Sequence, residues 1–71
     1  MKKEKIGTNA GIVWRMLSAK DKMTIKELLL ETDLNLLELA SAIGWLAREN
    51  KINFIEENGR EFFTVFQEFY Y

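Results

Sequence analysis

The sequence predicts a small α+β domain, three helices followed by one β-hairpin. Three observations carry that reading. Apolar residues recur at helical spacing in three successive segments between Thr8 and Glu49. The period switches from 3.6 to 2 after Lys51. Asn58-Gly59 then supplies two adjacent residues that tolerate the positive φ of a tight hairpin turn.

The first helix is expected from about Thr8 to Lys20. Thr8 or Asn9 can cap it through a side-chain oxygen. Ala10, Val13, Trp14 and Leu17 follow the i, i+3, i+4, i+7 spacing of one buried stripe, so Trp14 reads as a core residue. The second element spans Met23 to Glu31. Thr24 and Glu27 have the spacing of a capping box, and Ile25, Leu28 and Leu29 supply its apolar face. Asn35 opens the third helix with Glu38 three positions on, and that helix runs to about Glu49. Its expected buried stripe is Leu36, Leu39, Ala40, Ile43, Leu46 and Ala47. Only Thr32-Asp33-Leu34 and the Asn35 cap separate the last two helices, which makes their crossing steep.

Ile52 to Glu56 alternates as a strand. A two-residue turn at Asn58-Gly59 sets Glu57 opposite Arg60, Ile55 opposite Phe62, Phe54 opposite Phe63, and Ile52 opposite Val65. One hairpin face then carries Ile52, Phe54, Phe63 and Val65 toward the helices. The other carries Ile55 and Phe62, with Phe66 further along. Met23-Thr24 is expected to form a short strand against the hairpin. Three helices followed by a hairpin is the order of a winged helix-turn-helix domain, and the whole chain, 1–71, reads as one such unit. It has a basic N-terminal arm over 1–6 and an aromatic tail over 66–71.

Composition narrows the chemistry. The 71 residues contain no Cys, no His and no Pro, and the net charge is −1. A disulfide scaffold, a thiolate or imidazole metal site, and catalysis by Cys or His are excluded by that inventory. No phosphate loop pattern occurs, and Glu56, Glu57 and Glu61 cluster at a solvated hairpin tip rather than in a pocket. The expectation is a protein that is not an enzyme and needs no cofactor or metal. No small-molecule ligand is evident from the residue pattern. Met1-Lys2-Lys3-Glu4-Lys5 has no apolar export core after it, and no apolar run is long enough for a membrane helix, so a cytoplasmic setting is expected.

Two stretches carry a family resemblance. Ile6-Gly7-Thr8-Asn9-Ala10-Gly11-Ile12-Val13-Trp14 opens the first helix, and Gly44-Trp45-Leu46-Ala47-Arg48-Glu49-Asn50-Lys51-Ile52 closes the third. Together they resemble the small stand-alone winged helix-turn-helix proteins of Bacteroides-type bacteria, a domain-of-unknown-function family. The resemblance implies the fold, a bacterial cytoplasmic setting and a homodimer, and it implies no ligand. The chain departs from the family pattern at Asn50, Leu36 and Leu37.

Two partner classes follow. A DNA-binding transcriptional regulator of this fold lays its third helix in the major groove. The groove-facing positions would lie near Leu37, Glu38, Ser41, Ala42, Gly44 and Trp45. The contacts would come from Ser41, Trp45, Arg48 and Lys51, with Lys2, Lys3 and Lys5 of the arm on the backbone. Charge does not favour it: Asn35 to Glu61 holds three basic residues against five acidic ones, where phosphate binding needs the reverse. Arg48 has the alternative of a solvated charge or a pair with Glu49 or Glu38, and Trp45 that of packing under the wing.

The stronger anomaly is aromatic. Six of the nine aromatic residues fall within the last ten positions. Ile55, Phe62, Phe66, Phe69, Tyr70 and Tyr71 therefore form the expected interface with a protein partner, most simply a homodimer. The last strand is expected to present an open edge to it. Fold-back of the tail over the first helix is the alternative.

Overall fold

Two of the three helices start where side chains satisfy their first free amides. The computed structural model describes residues 1–65. Its elements are α1 (Lys3–Lys20), β1 (Lys22–Met23), α2 (Ile25–Thr32), α3 (Leu36–Arg48), β2 (Ile52–Glu57) and β3 (Arg60–Val65). Both capping boxes form as the spacing predicts. Thr24 Oγ1 accepts from the Glu27 amide at 3.2 Å, and Glu27 Oε1 accepts from the Thr24 amide at 2.9 Å. At α3, Asn35 Oδ1 accepts from the Glu38 amide at 2.8 Å while Glu38 Oε1 accepts from the Asn35 amide at 3.0 Å.

α1 departs from expectation. It begins at Lys3, so most of the expected N-terminal arm is its first turn. Thr8 does not cap: its hydroxyl donates to the Glu4 carbonyl at 2.9 Å inside the helix. Lys3, Glu4 and Lys5 are good helix formers, and Glu4 lies at the positive end of the helix dipole. Those propensities extend the helix past the expected cap.

α3 ends in a reciprocal carbonyl lock. The Asn50 amide donates to Ala47 O at 3.1 Å and the Lys51 amide to Leu46 O at 2.9 Å. Asn50 takes φ 56°, a left-handed conformation that Asn tolerates well. The chain is thereby turned into β2. Between α2 and α3, Asp33 adopts φ 58° and makes the tight turn of the helix pair.

The sheet has the order β1-β3-β2, all antiparallel. The β2–β3 register is the predicted one, with Glu57 opposite Arg60, Ile55 opposite Phe62 and Ile52 opposite Val65. Asn58 (φ 53°) and Gly59 (φ 77°) supply the two positive dihedrals of the turn. The short strand lies one residue earlier than expected, at Lys22–Met23, because Thr24 is committed to capping α2. Pairing of Met23 with Phe63 and Lys22 with Thr64 makes β3 the central strand and covers only that part of the open edge expected beside it. Among the described residues the hairpin edge left free along its whole length belongs to β2.

The core lies between the helices and one sheet face. Val13 and Leu17 of α1 meet Leu28 of α2, Leu39, Ala42 and Leu46 of α3, and Ile52 of β2. Phe63 and Val65 pack against it as predicted. Three expectations shift. On α3 the buried stripe is Leu39, Ala42, Ile43 and Leu46, while Leu36 and Ala40 face solvent. The stripe is rotated because apolar residues on both faces of this helix leave its inward side ambiguous by pattern alone. Trp14 is 40% exposed rather than a core residue. Phe54 is 59% exposed, since β2 runs past the end of the core, and its ring meets Phe63 edge to face at 5.2 Å.

Candidate functional site

The exposed face of α3 is the surface that a helix pair of this geometry offers to a partner. Leu36 and Leu37 at its start are 61% and 68% exposed. Gly44 and Arg48 are exposed further along, Ser41 is half-buried, and Ala42 is fully buried and cannot face a groove. Arg48 has no ion-pair partner among the described residues and is exposed, which is the solvated charge of the two alternatives rather than a pair with Glu38 or Glu49. The face offers a base edge one hydroxyl and one guanidinium within a mostly apolar surface.

The wing is acidic at its tip. Glu56 stands directly opposite Glu61 across the hairpin. Lys22 on β1 reaches over to pair with Glu57, and its ammonium lies 4.9 Å from the centre of the Phe62 ring. Thr64 Oγ1 donates to the Asp21 carbonyl at 2.9 Å, a second tie between β1 and the hairpin. Phe62 is therefore half-buried beneath a cation, and Ile55 beside it is exposed. The exposed apolar side chains of β2 are Phe54 on one face and Ile55 on the other. Phe66, Phe69, Tyr70 and Tyr71 lie outside the described residues.

Lys2, Lys3 and Lys5 are all exposed, the latter two on the first turn of α1. At α2 the Glu27 carboxyl titrates below its ordinary value. The hydrogen bond from the Thr24 backbone N–H is the largest cause and the Thr24 side chain the next. Among the described residues no group of three or more acidic, His or Cys side chains could hold a metal ion, and no helix is long and apolar enough to cross a membrane.

A cleft that the sequence did not suggest opens between α1 and the C-terminal end of α3. Its volume is about 390 Å³. Gly7, Ala10, Gly11, Trp14 and Arg15 line one wall, and Trp45, Leu46 and Lys51 the other. Trp45 is 41% exposed and turns toward α1 in this cleft rather than packing under the wing. Gly7, Gly11 and Trp14 stand at i, i+4 and i+7, one helical face of small residues closed by an indole. That spacing was the available signal. The partner wall comes from a helix distant in sequence, which local pattern cannot place.

Three helices, a tight α2–α3 turn and a hairpin paired to a short strand after α1 define a winged helix-turn-helix domain. The chain belongs to the family described as winged helix-turn-helix domain (DUF2582), whose model matches residues 1–65. Among solved structures it is similar to protein BT2368 from Bacteroides thetaiotaomicron, determined by solution NMR. The two are 40% identical with a TM-score of 0.80, and the match covers 92% of this chain and 79% of that one. No curated protein matches the chain.

Proposed function

We propose that this domain is a non-enzymatic protein-interaction module that pairs with a second copy of itself along the free edge of β2. The observation that carries the reading is Phe54, an aromatic side chain 59% exposed on a strand with no outer partner among the described residues. Unpaired strand edges are either shielded or used for pairing. Ile55 adds an exposed apolar side chain to the other face of the same strand. Antiparallel pairing about a twofold axis keeps the two acidic Glu56–Glu57 ends apart, so the edge is self-compatible. The aromatic residues after Val65, with Phe62, belong to the same proposed interface. A chain of 71 residues also gains needed apolar burial by pairing.

The charge distribution supports protein over nucleic acid as partner. Facing carboxylates at the wing tip and an apolar α3 surface oppose the phosphate contacts that dominate DNA affinity. Sedimentation velocity on the full chain tests the proposal. The wild type should show a concentration-dependent dimer, and Phe54→Lys should sediment as a monomer with an unchanged circular dichroism spectrum. A wild type that stays monomeric at every concentration, or a folded Phe54→Lys that keeps the dimer mass, overturns it.

A further inference from the structure

The cleft between α1 and α3 stands apart from the β2 edge, and its chemistry is of a different kind. We propose that it is a binding site for a small organic anion with a flat apolar body. Its volume of about 390 Å³ is within the range of small-molecule sites. Trp14 and Trp45 present two indoles, each roughly two-fifths exposed, as surfaces on which a flat ring can stack. Arg15 and Lys51 line the same cleft and have no ion-pair partner among the described residues. Among the described residues no carboxylate lines it. The charge is therefore uncompensated and positive, which selects an anion. The guanidinium fork of Arg15 suits the paired oxygens of a carboxylate or a phosphate.

The glycines give an independent reason to expect an occupant. Gly in a helix interior costs about 0.5–1 kcal/mol relative to Ala. Gly7 lies inside α1, and a Cβ built there would meet nothing within 4 Å. A Cβ at Gly11 would make only ordinary contact, 3.8 Å from Arg15 Nη1. Packing among the described residues thus gives no cause for a bare backbone at either place. Both glycines open onto the cleft, where a side chain would take the room of a ligand.

The shared chemistry, a flat ring bearing an anionic group, is met by aromatic carboxylates and by nucleoside monophosphates. The experiment separates these sources. The protein has two tryptophans, and both line the cleft. Their indole N–H signals in a ¹H–¹⁵N correlation spectrum therefore report on this site. Indole-3-acetate and adenosine monophosphate are titrated in parallel, each against its neutral counterpart, indole-3-ethanol and adenosine.

At least one anion should shift both indole signals and the Gly7 and Gly11 amides saturably, with its neutral counterpart about tenfold or more weaker. The anion that responds names the source. Gly7→Leu should keep the fold, because a Cβ there meets nothing within 4 Å and the side chain enters the cleft, and should abolish the shifts. Arg15→Gln with Lys51→Gln should weaken binding about tenfold or more while retaining the fold. The proposal is overturned by the absence of indole shifts with either anion at millimolar concentration, or by equal binding of the neutral counterparts. Unchanged binding by a folded Gly7→Leu overturns it as well.

Discussion

Replacing Asn9 by Leu should make this protein more stable. Asn9 is fully buried on the inner side of α1, and neither its Nδ2 nor its Oδ1 has a hydrogen-bond partner among the described residues. An unpaired buried amide costs about 1–3 kcal/mol in lost solvation. Leu has the same number of side-chain heavy atoms in a branched arrangement, so it leaves no cavity, while its bulkier methyl groups cost part of the gain in closer packing. It is also the better helix former, by a few tenths of a kcal/mol. The two gains act in the same direction, and after the packing cost about 1–2 kcal/mol of added stability remains. For a domain of this size each kcal/mol raises Tm by roughly 4–8 °C. Urea unfolding followed by circular dichroism measures the difference, and an unchanged m-value shows that the same surface is being exposed. A loss of stability greater than about 1 kcal/mol would refute the reasoning, because the amide must then be satisfied in the native state at the cost this substitution removes.

Further outcomes follow from single features of the fold. Gly59 holds φ 77° in the hairpin turn, so Gly59→Val should destabilise by about 1–3 kcal/mol in the same urea assay, and an unaffected variant would show that the turn readily takes another form. Leu39→Ala in the centre of the core should cost about 2–5 kcal/mol, whereas Leu37→Ala on the exposed face of the same helix should stay within about 0.5 kcal/mol. Glu27 gives a pH signature. Its folded pKa lies below the ordinary 4.5, so its stabilisation is present above 4.5 and is lost as pH falls through the folded value. The stability gap between wild type and Glu27→Gln should therefore hold steady near neutrality and close on acidification below 4.5; a gap that widens in acid contradicts the capping assignment.

The parts of the fold that are legible in the sequence are those governed by local chemistry. Thr24–Glu27 and Asn35–Glu38 each carry both halves of a reciprocal cap, so two helix starts can be read to the residue. Asn58-Gly59 pins the turn, and a two-residue turn leaves one register for everything that follows. Where local signals compete, the reading slips. Thr8 has the side chain of a cap, yet good helix formers precede it and α1 continues to Lys3. α3 has apolar residues nearly all round, so its pattern cannot say that Ala42 is buried and Leu36 exposed. The candidate site is legible only in part. The expected interface residue Ile55 is exposed on the open edge, and Phe54 keeps the predicted face opposite Phe63 yet stands in solvent, because the sequence does not show where along the strand the core ends. The Trp14–Trp45 cleft depends on two helices meeting side by side, and no local period contains that information.

Amide exchange along β2 tests the central claim most directly. Glu57 and Arg60 flank the two-residue turn as a hydrogen-bonded pair, so alternation directs the amides of Asn53, Ile55 and Glu57 toward β3. The amides of Phe54 and Glu56 then point outward along the free edge. Self-pairing along β2 predicts that these two amides exchange slowly at high protein concentration and rapidly on dilution, while those of Ile55 and Glu57 stay protected throughout. Fast exchange at Phe54 and Glu56 at every concentration would contradict pairing along this edge.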